Sequence, residues 1–388
     1  MPANRRDFIR LSAAAGGAIA LGLGERSSAV AGVLPNELSP APRPNGAPKP
    51  MKLLILGGTG FIGPWQVRYA VERGHKVTVF NRGKHQADLP DSVEHLSGDR
   101  AIDDYASLKG RKWDTVIDNS ATDPKWVHGA GVALKGNVGH YLFVSTRSVY
   151  SDTSRIPMTA DAPVFTPETT KNYDSTKPLP YGLAKALAEK EAHAAFGEHT
   201  TIVRPSLIVG PTDDTDRFTY WPLRMERGGE VLAPGDPSDP VQIIDVRDVS
   251  EWIVRLCEQR DAGVFNALGP KMSRRFDELL YGIHAVTTSD FSLTWVAAPF
   301  LKAEGVREYS DMPVWRDPHN GAEGFARFDV TPELARGLTY RPLAVTAKDT
   351  LDWWKTLPEE RRAKPKTGLT PEREKEVLAK WHASQKAQ

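Results

Sequence analysis

The chain contains a single cysteine, Cys257, among its 388 residues, so no intrachain disulfide can form. Its formal net charge is only +1, and a near-neutral protein lacks the electropositive surface that nucleic-acid binding requires. The ten histidines show no metal-ligand spacing, so we assign no metal. These shortages argue against a disulfide scaffold, a nucleic-acid-binding protein and a metalloprotein. The contents of 40% hydrophobic and 26% charged residues are ordinary for a soluble globular protein.

Long apolar runs are also missing near the N-terminus. The mildly apolar stretch 11–23 is too short to span ~30 Å of hydrocarbon. It follows Arg5 and Arg6 and precedes small residues at 29–31, an arrangement that resembles a twin-arginine export signal with a peptidase site. The alternative is a short membrane anchor. We expect residues 1–31 to be a signal peptide that engages the twin-arginine translocase. The mature protein would then be periplasmic or secreted and would have no membrane span.

The rest of the chain alternates strand and helix patterns. Residues 32–50 are rich in proline and predict a disordered linker. The predicted strands are 52–56, 76–80, 114–118, 140–145, 201–204, 241–246 and 263–267, and the predicted helices are 61–73, 124–134, 181–195 and 248–258. Thr370 and Pro371 predict the cap and first residue of a last helix.

This alternation predicts an α/β protein with a Rossmann-type doubly wound parallel sheet and a small C-terminal substrate-binding cap. We expect an NAD(P)-binding domain at 51–210. The cap and the C-terminal helices would occupy 211–388, from which 241–268 returns to the Rossmann core.

A glycine-rich turn follows the first predicted strand. Glycine lets the backbone turn tightly and approach a pyrophosphate, which then lies on the N-terminus of the next helix. Glycine-rich turns also occur as plain connectors, so the motif alone is weak evidence. Its position between a strand and a helix favours a dinucleotide site, with candidate residues Gly57, Thr59, Gly60, Phe61, Ile62 and Gly63.

Tyr181 and Lys185 are four residues apart, so on a helix they share one face. A tyrosine whose pKa stays near the reference value of ~10 is a poor base at neutral pH, because its phenol is almost entirely protonated. A lysine ammonium close by favours the phenolate, and the same lysine can hold a nicotinamide ribose. The alternative is a tyrosine at a helix–sheet contact beside a solvated lysine.

Upstream, the apolar run 141–144 ends in the hydroxyl residues Ser145 and Thr146. The carboxyl end of a strand points into the crevice where this type of sheet binds ligands. A hydroxyl there can hydrogen-bond a substrate oxygen while a tyrosine exchanges its proton. A plain Ser/Thr turn is the alternative interpretation.

These motifs, in this order, resemble the extended short-chain dehydrogenase/reductase family, the NAD-dependent epimerase/dehydratase group. The resemblance runs from about 51 to 268 and includes Arg204-Pro205, 209–211 and 244–249. It implies a hydroxyl role for Thr146, an acid/base role for Tyr181 and a ribose-holding role for Lys185. It also places the pyrophosphate over the three glycines and the adenine near Asp99, with the nicotinamide lined by Ser145 and by 205–208, which includes Pro205 and Ile208.

Two departures from the family pattern narrow the substrate. Arg147-Ser148 stands where the dehydratase branch carries an acidic pair for removing water, which argues against sugar 4,6-dehydration. Val241 stands where members acting on nucleotide sugars usually carry an arginine for the diphosphate. We therefore expect a sugar-like small molecule, such as a free sugar, a glycoside or another polyol, and not a nucleotide sugar.

The second predicted strand runs into Asn81-Arg82 and lacks the acidic residue that would accept a hydrogen bond from the ribose 2′-hydroxyl of NAD. Arg82 can stack on adenine and pair with a 2′-phosphate. This favours NADP over NAD and adds Asn81 and Arg82 to the candidate cofactor residues. The alternative for Arg82 is a solvated loop cation.

The resulting interpretation is an exported NAD(P)-dependent oxidoreductase or epimerase that acts on a secondary alcohol. Arg217, Arg224 and Arg227 could reach a substrate from the cap, but we interpret them as solvated surface. The alternative is a non-catalytic or RNA-binding member of the same fold, since stem-loop RNA-binding relatives share the 81–83 type of turn. The sequence is compatible with a homo-oligomer.

Overall fold

The computed structural model describes residues 48–85, 87–119 and 122–386, so the predicted signal peptide and most of the predicted linker lie outside the described residues. No helix in these ranges is both long and apolar enough to cross a membrane. The strands are β1 (Lys52–Leu56), β2 (Lys76–Asn81), β3 (Glu94–Ser97), β4 (Thr115–Asp118), β5 (Tyr141–Val144), β6 (Thr200–Pro205), β7 (Leu207–Val209), β8 (Gly229–Pro234), β9 (Pro240–Asp245), β10 (Gly263–Ala267), β11 (Gly269–Arg275) and β12 (Phe291–Val296). The helices are α1 (Gly63–Glu72), α2 (Pro124–Leu134), α3 (Tyr181–Phe196), α4 (Tyr220–Arg227), α5 (Val246–Gln259), α6 (Phe276–His284), α7 (Ala298–Ala303), α8 (Thr331–Ala335), α9 (Leu343–Thr356), α10 (Glu359–Arg362) and α11 (Pro371–Lys386).

Seven strands form one parallel sheet in the order β10-β6-β5-β4-β1-β2-β3. The chain builds outward from β1 to β3 and then returns to β4 on the other side of β1. The order therefore reverses between β1 and β4. In open α/β sheets, ligands bind at the carboxyl ends of the strands at such a reversal. The predicted Rossmann-type fold is confirmed, and it places the candidate site at this edge.

Alternate residues of β1 face two separate layers of helices. Leu53 and Ile55 pack into a core that includes residues of α1 and α5, whereas Leu54 and Leu56 pack into a core that includes residues of α2 and α3. All four side chains are fully buried. Helices thus cover both faces of β1, as is typical of a central parallel strand. Burial on both faces explains why its sequence is a continuous run of apolar residues.

Local capping explains where two of the helices begin. The Asp123 carboxylate accepts a hydrogen bond from the Lys125 N–H at 2.9 Å, and Pro124 occupies the first helical position of α2. The Thr370 hydroxyl likewise accepts a hydrogen bond from the Arg373 N–H at 3.2 Å, at the start of α11. Both starts match the sequence predictions.

The C-terminal half builds a second core. β7, β9 and β11 form a three-stranded sheet, and β8 pairs with β12. The largest fully buried side chains of this core are those of Trp221, Phe218 and Phe276. Part of the segment 241–268 joins the large sheet through β10, and α5 packs on α1, whereas β9 lies in the smaller sheet. The domain boundaries stay predictions.

Candidate active site

The glycine-rich turn joins β1 to α1 and depends on close backbone packing. Gly57 has φ +83°, a left-handed conformation that favours glycine, and its N–H donates to the Phe80 carbonyl oxygen at 3.0 Å. A Cβ on Gly63 would lie 2.5 Å from the carbonyl carbon and oxygen of Gly58. A Cβ on Gly58 would lie 2.5 Å from Val79 Cγ1. These glycines are therefore required by the turn itself.

Gly60 differs, because a Cβ there would meet no atom of a described residue within 4 Å, apart from its two chain neighbours. Protein packing therefore does not explain this glycine, whereas a ligand approaching the backbone would. Gly60 lies in a cleft of about 710 Å³ beside the turn, and this observation fits the pyrophosphate of a dinucleotide. The cleft also brings together the predicted residues Gly57, Thr59, Asn81, Arg82 and Asp99.

The two predicted residues at the adenine end differ in how they are held. Arg82 is exposed at the mouth of the cleft, and no carboxylate of a described residue forms an ion pair with it. Asp99 caps the turn at Arg100–Ile102, where its carboxylate accepts a hydrogen bond from the Ala101 N–H at 3.0 Å. Of these two residues, Arg82 is thus the one whose charge is available to a ligand.

Arg100 also lines this cleft and was not predicted from the sequence. Its guanidinium donates two hydrogen bonds to the Asp118 carboxylate, each 2.7 Å long, and one to the Trp126 carbonyl oxygen at 2.9 Å. Asp118 is fully buried, and the Tyr141 hydroxyl also donates to it. The Arg100 charge is therefore neutralised inside the protein, and the pair supports the floor of the cleft.

A second cleft, of about 1010 Å³, opens at the carboxyl end of β5 and the N-terminus of α3. It brings together eight of the predicted residues: Phe61, Ile62, Ser145, Thr146, Tyr181, Lys185, Pro205 and Ile208. Gly63 lines neither cleft and instead packs beneath the glycine turn. Residues that are distant in sequence and adjacent at the strand ends thus converge in one place.

Thr146 and Tyr181 meet across this cleft. The Thr146 hydroxyl caps the turn at Arg147–Val149, accepting a hydrogen bond from the Ser148 N–H at 3.1 Å. The first turn of α3 approaches the same turn so closely that a Cβ on Gly182 would lie 2.3 Å from the Ser148 carbonyl oxygen. The glycine after the tyrosine is therefore what allows the two hydroxyls to approach.

The Tyr181 hydroxyl sits among protein groups although 53% of the residue is exposed. Burial raises its pKa above the usual value, and this is opposed by the hydrogen bond with the Thr146 side chain and by the charge of Arg217. The sequence suggested Lys185 as the cation that acts on this phenol, whereas the charge that lowers its pKa here is that of Arg217.

Lys185 is buried beneath the cleft, with 3% of the residue exposed. Its ammonium donates to the Val144 carbonyl oxygen at 2.6 Å and lies 4.2 Å from the centroid of the Phe143 ring. Burial lowers its pKa to about 8, against the opposing charges of Asp118 and Glu189. An ammonium with so little water around it gains most from an oxygen-rich ligand in the cleft.

Ser145 is held by a buried ion pair. Its hydroxyl donates to the Glu189 carboxylate, which also receives two hydrogen bonds from Arg204, at 3.0 and 2.7 Å. Glu189 follows Tyr181 by two turns of α3, so the same helix supplies the tyrosine, the lysine and this support. The sequence reasoning missed Glu189, although its position on the face of α3 that carries Lys185 was a usable signal.

Other cleft residues were missed because they come from remote parts of the chain. Tyr309 and Phe325 lie more than a hundred residues downstream of Tyr181, and no local pattern marks them. Arg217 is half-buried and lines the cleft, so it is within reach of a ligand there. The interpretation as solvated surface was wrong for Arg224, which is buried and pairs with Glu374 at 2.7 Å.

The fold and its clefts are those of a Rossmann-type α/β protein. Residues 127–267 match the model of the NAD dependent epimerase/dehydratase family. The matched stretch includes Thr146, Tyr181 and Lys185, and it runs through β10 of the large sheet. This match and the relatives below support that family for the chain.

Curated relatives fall into different functional classes. A chloroplast stem-loop binding protein of 41 kDa from Arabidopsis thaliana is 27% identical over 237 residues, which cover 57% of this chain and 59% of that protein. A 2-alkyl-3-oxoalkanoate reductase from Stenotrophomonas maltophilia is 34% identical over 204 residues, covering 49% and 60%. A UDP-glucose 4-epimerase from Corynebacterium glutamicum is 26% identical over 182 residues, covering 41% and 52%. The chain thus spans 52–60% of the length of these relatives.

Solved structures share the fold at low identity. The UDP-Glc/GlcNAc 4-epimerase from Campylobacter jejuni has a TM-score of 0.58 at 16% identity, covering 79% of this chain and 99% of that chain. The Bordetella bronchiseptica enzyme WbmH, solved with NAD⁺, has a TM-score of 0.57 at 16% identity, with the same coverage. At this identity the likeness supports the fold alone.

Proposed function

We propose that the chain is a member of the NAD-dependent epimerase/dehydratase family and works as an exported NAD(P)-dependent oxidoreductase or epimerase. Its substrate is a secondary alcohol on a sugar-like small molecule that is not a nucleotide sugar. The observation that carries this proposal is the meeting of the Thr146 and Tyr181 hydroxyls above Lys185, in a cleft at the carboxyl end of β5.

Each of these three residues has a defined task. In its phenolate form, Tyr181 takes the proton of the substrate hydroxyl, and in the reverse direction the phenol gives that proton back. The Thr146 hydroxyl hydrogen-bonds the same substrate oxygen and orients it. The Lys185 ammonium, which is buried beneath the cleft, would hold the nicotinamide ribose. The bound dinucleotide supplies the capacity to accept and return a hydride.

Two outcomes follow from the same residues. An oxidoreductase releases the carbonyl product, whereas an epimerase lets the carbonyl group turn and reduces it from the other face. Export favours the epimerase or another closed redox cycle, because no soluble cofactor pool is expected outside the cytoplasm. A tightly held dinucleotide suits either form.

The proposed cofactor is NADP in preference to NAD. The support is Arg82, an exposed guanidinium at the mouth of the glycine-turn cleft without a carboxylate ion pair among the described residues. Such a group can pair with a 2′-phosphate. An acidic residue, which would favour the 2′-hydroxyl of NAD, is absent from the end of β2.

The exclusion of nucleotide sugars is supported by Val241. Its side chain is 3% exposed and packs in the C-terminal core, so it offers no charge to a diphosphate. The relative that acts, by its name, on a 2-alkyl-3-oxoalkanoate is an example of a substrate without a nucleotide.

Export is proposed from the sequence of residues 1–31, which lie outside the described residues. The twin-arginine translocase would be the partner during export, and the destination would be the periplasm or the medium. This route carries folded, cofactor-loaded proteins, which suits a chain with one cysteine.

A second candidate function is a non-catalytic or RNA-binding role, and the stem-loop binding relative is the observation that favours it. The near-neutral charge of the chain opposes it. A gel-shift assay with stem-loop RNA at increasing salt separates the two functions, because RNA binding would give a strongly salt-dependent shift.

The direct test measures the dinucleotide that copurifies with the exported protein, by mass and absorbance. A panel of free sugars, glycosides, polyols and their acids is then titrated in while the absorbance of reduced nicotinamide is followed. We expect a bound dinucleotide that at least one panel member reduces. A protein that binds no dinucleotide and shifts RNA would overturn the proposal in favour of the second candidate.

A further inference from the structure

The cleft at the end of β5 contains a buried arginine with no acidic partner among the described residues. Only 6% of Arg147 is exposed. Its guanidinium donates to the carbonyl oxygens of Phe325 and Gln242, at 3.2 and 3.4 Å, and to the Tyr309 hydroxyl. The guanidinium carbon also lies 3.9 Å from the centroid of the Phe325 ring. All of these partners are neutral.

The other buried arginines among the described residues differ from Arg147 in having carboxylate partners. Each has a carboxylate within ion-pair distance: the pairs are Arg100–Asp118, Arg204–Glu189, Arg224–Glu374 and Arg255–Glu251. No such pair is formed by Arg147 with any described residue. A buried cation without a counter-charge is costly, because burial removes its hydration and nothing replaces it. The charge is therefore available to a ligand that enters the cleft.

A second guanidinium faces the same space. Arg217 lines the cleft, and its Nε donates to the Thr215 hydroxyl at 2.8 Å. Burial raises the pKa of Asp213, and the charge of Arg217 opposes that rise, although the two residues form no ion pair. Because no carboxylate of a described residue forms an ion pair with Arg217, its charge is also available to a ligand in the cleft.

Arg217 links the reacting hydroxyl to the buried arginine electrostatically. Burial raises the pKa of Tyr181, and the Thr146 hydrogen bond and the charge of Arg217 oppose that rise. Burial lowers the pKa of Arg147, and the charges of Arg316 and Arg217 lower it further. A third cation, Arg316, lies 4.4 Å from the centroid of the Phe325 ring that Arg147 contacts. The described residues that line the cleft include the cations Arg147, Lys185 and Arg217 and no acidic residue. The wall of the cleft beside Tyr181 is therefore net positive.

We propose that Arg147 and Arg217 bind an oxyanion carried by the substrate, so the substrate is an acidic sugar-like molecule with a carboxylate or a phosphate near the reacting alcohol. This inference rests on the proposed function for the identity of the reacting alcohol, but the oxyanion site itself does not need turnover. Two guanidiniums on one wall suit the two or three oxygens of such a group, since each can donate paired hydrogen bonds.

Binding calorimetry on the mature, dinucleotide-loaded protein tests the proposal with three probes of similar size: glucuronate, glucose 6-phosphate and neutral glucose. We expect at least one anion to bind ~10-fold or more tightly than glucose, as charge-assisted hydrogen bonds require. Tighter binding of glucuronate assigns the site to a carboxylate, and tighter binding of the phosphate ester assigns it to a phosphate. Equal binding of all three probes would overturn the proposal.

The variants make the test specific. Arg147→Gln and Arg217→Gln should each remove most of the preference for the anion, whereas Arg147→Lys should keep part of it. Arg111→Gln is the matched control, because it removes one positive charge from an exposed ion pair with Glu94, far from the cleft. If Arg147→Gln fails to fold, Arg217→Gln and Arg147→Lys still decide the matter. An anion preference that survives Arg217→Gln unchanged contradicts the proposal.

The same measurement in Tyr181→Phe separates this inference from the proposed function. The phenyl ring keeps the shape of the cleft, so the preference for the anion should persist there. Anion binding without any dinucleotide reduction in the parent would uphold the oxyanion site and contradict the proposed redox chemistry. Loss of the preference in Tyr181→Phe would contradict the assignment to the two arginines.

Discussion

Lys185 donates a hydrogen bond from its ammonium to the Val144 carbonyl oxygen at 2.6 Å, which ties α3 to the carboxyl end of β5. This contact keeps the lysine beneath the cleft and away from water. Burial consequently lowers its pKa to about 8, whereas the charges of Asp118 and Glu189 act in the opposite direction. The position of the lysine and its protonation are thus set by the same packing.

The first prediction concerns pH. Lys185 is charged below about pH 8 in the free protein and loses its proton above it. Dinucleotide affinity should therefore fall as the pH rises through about 8, because the ammonium is assigned to the ribose. Lys185→Met should bind weakly at every pH and show no such step. A fluorescence titration of dinucleotide binding across this range checks both.

The stability of the dinucleotide-free protein should move the other way. The pKa of Lys185 is about 8 when folded and 10.5 in its ordinary state, so the unfolded chain binds more protons between these values. The contribution of Lys185 to the free energy of unfolding should therefore rise with pH through this window. The check is denaturant unfolding of the parent and of Lys185→Met; a parent-minus-variant difference that falls instead would refute the assignment.

The second prediction separates a structural glycine from a ligand-binding one. Gly63→Ala should destabilise the free protein by ~1–3 kcal/mol, because its Cβ would overlap the backbone of Gly58. Gly60→Ala should leave the melting temperature of the free protein almost unchanged, because open space surrounds that position. It should nevertheless weaken dinucleotide binding, since the new methyl group enters the cleft. Melting curves with and without dinucleotide test both variants, and undiminished binding by Gly60→Ala would count against the site.

The third prediction concerns the cofactor. If Arg82 pairs with a 2′-phosphate, Arg82→Ala should weaken NADP binding by ~1–3 kcal/mol more than NAD binding. Lys84→Ala is the matched control, because Lys84 is an exposed cation of the same cleft. Equal losses for the two dinucleotides in Arg82→Ala would mean that this arginine only stacks or faces solvent.

Much of the fold could be predicted from the sequence because its signals are local. The apolar run at 52–56 predicted β1, and the helix pattern at 124–134 predicted α2. The glycine turn, Thr146 and the Tyr181–Lys185 spacing could also be found, since each belongs to one strand end or one helix turn. Parallel topology then brings those ends together.

The rest of the site depends on contacts between remote segments, which no local pattern encodes. Arg224 pairs with Glu374, 150 residues away, so its burial could not be anticipated from its own neighbourhood. Tyr309 and Phe325 reach the cleft from the C-terminal half in the same way. Gly182 follows Tyr181 in the sequence, but nothing near it in the sequence shows why a glycine is needed there. The reason is the closeness of the Ser148 carbonyl oxygen in the folded chain.

The fourth prediction concerns export. Replacing both Arg5 and Arg6 by lysine should hold the precursor in the cytoplasm, because the twin-arginine pair is the expected recognition signal. Cell fractionation followed by immunoblotting measures this, with a cytoplasmic marker enzyme as the control for leakage. An unchanged periplasmic yield would rule out this route.

The last prediction concerns Tyr181. Tyr181→Phe removes the acid/base hydroxyl and keeps the ring, so folding and dinucleotide binding should persist. Turnover should fall by ~10²–10⁴-fold, the usual contribution of a positioned acid/base group.

Tyr281→Phe is the matched control, because Tyr281 is similarly exposed, at 58% against 53%, and lies outside both clefts. Thr146→Ala should lower the rate while retaining the dinucleotide, whereas Lys185→Met should lose affinity as well. The measurement is the rate of nicotinamide reduction with the best substrate of the panel. A Tyr181→Phe variant as fast as the parent would mean that the Tyr181–Lys185 pair is structural and that a different group accepts the proton of the substrate hydroxyl.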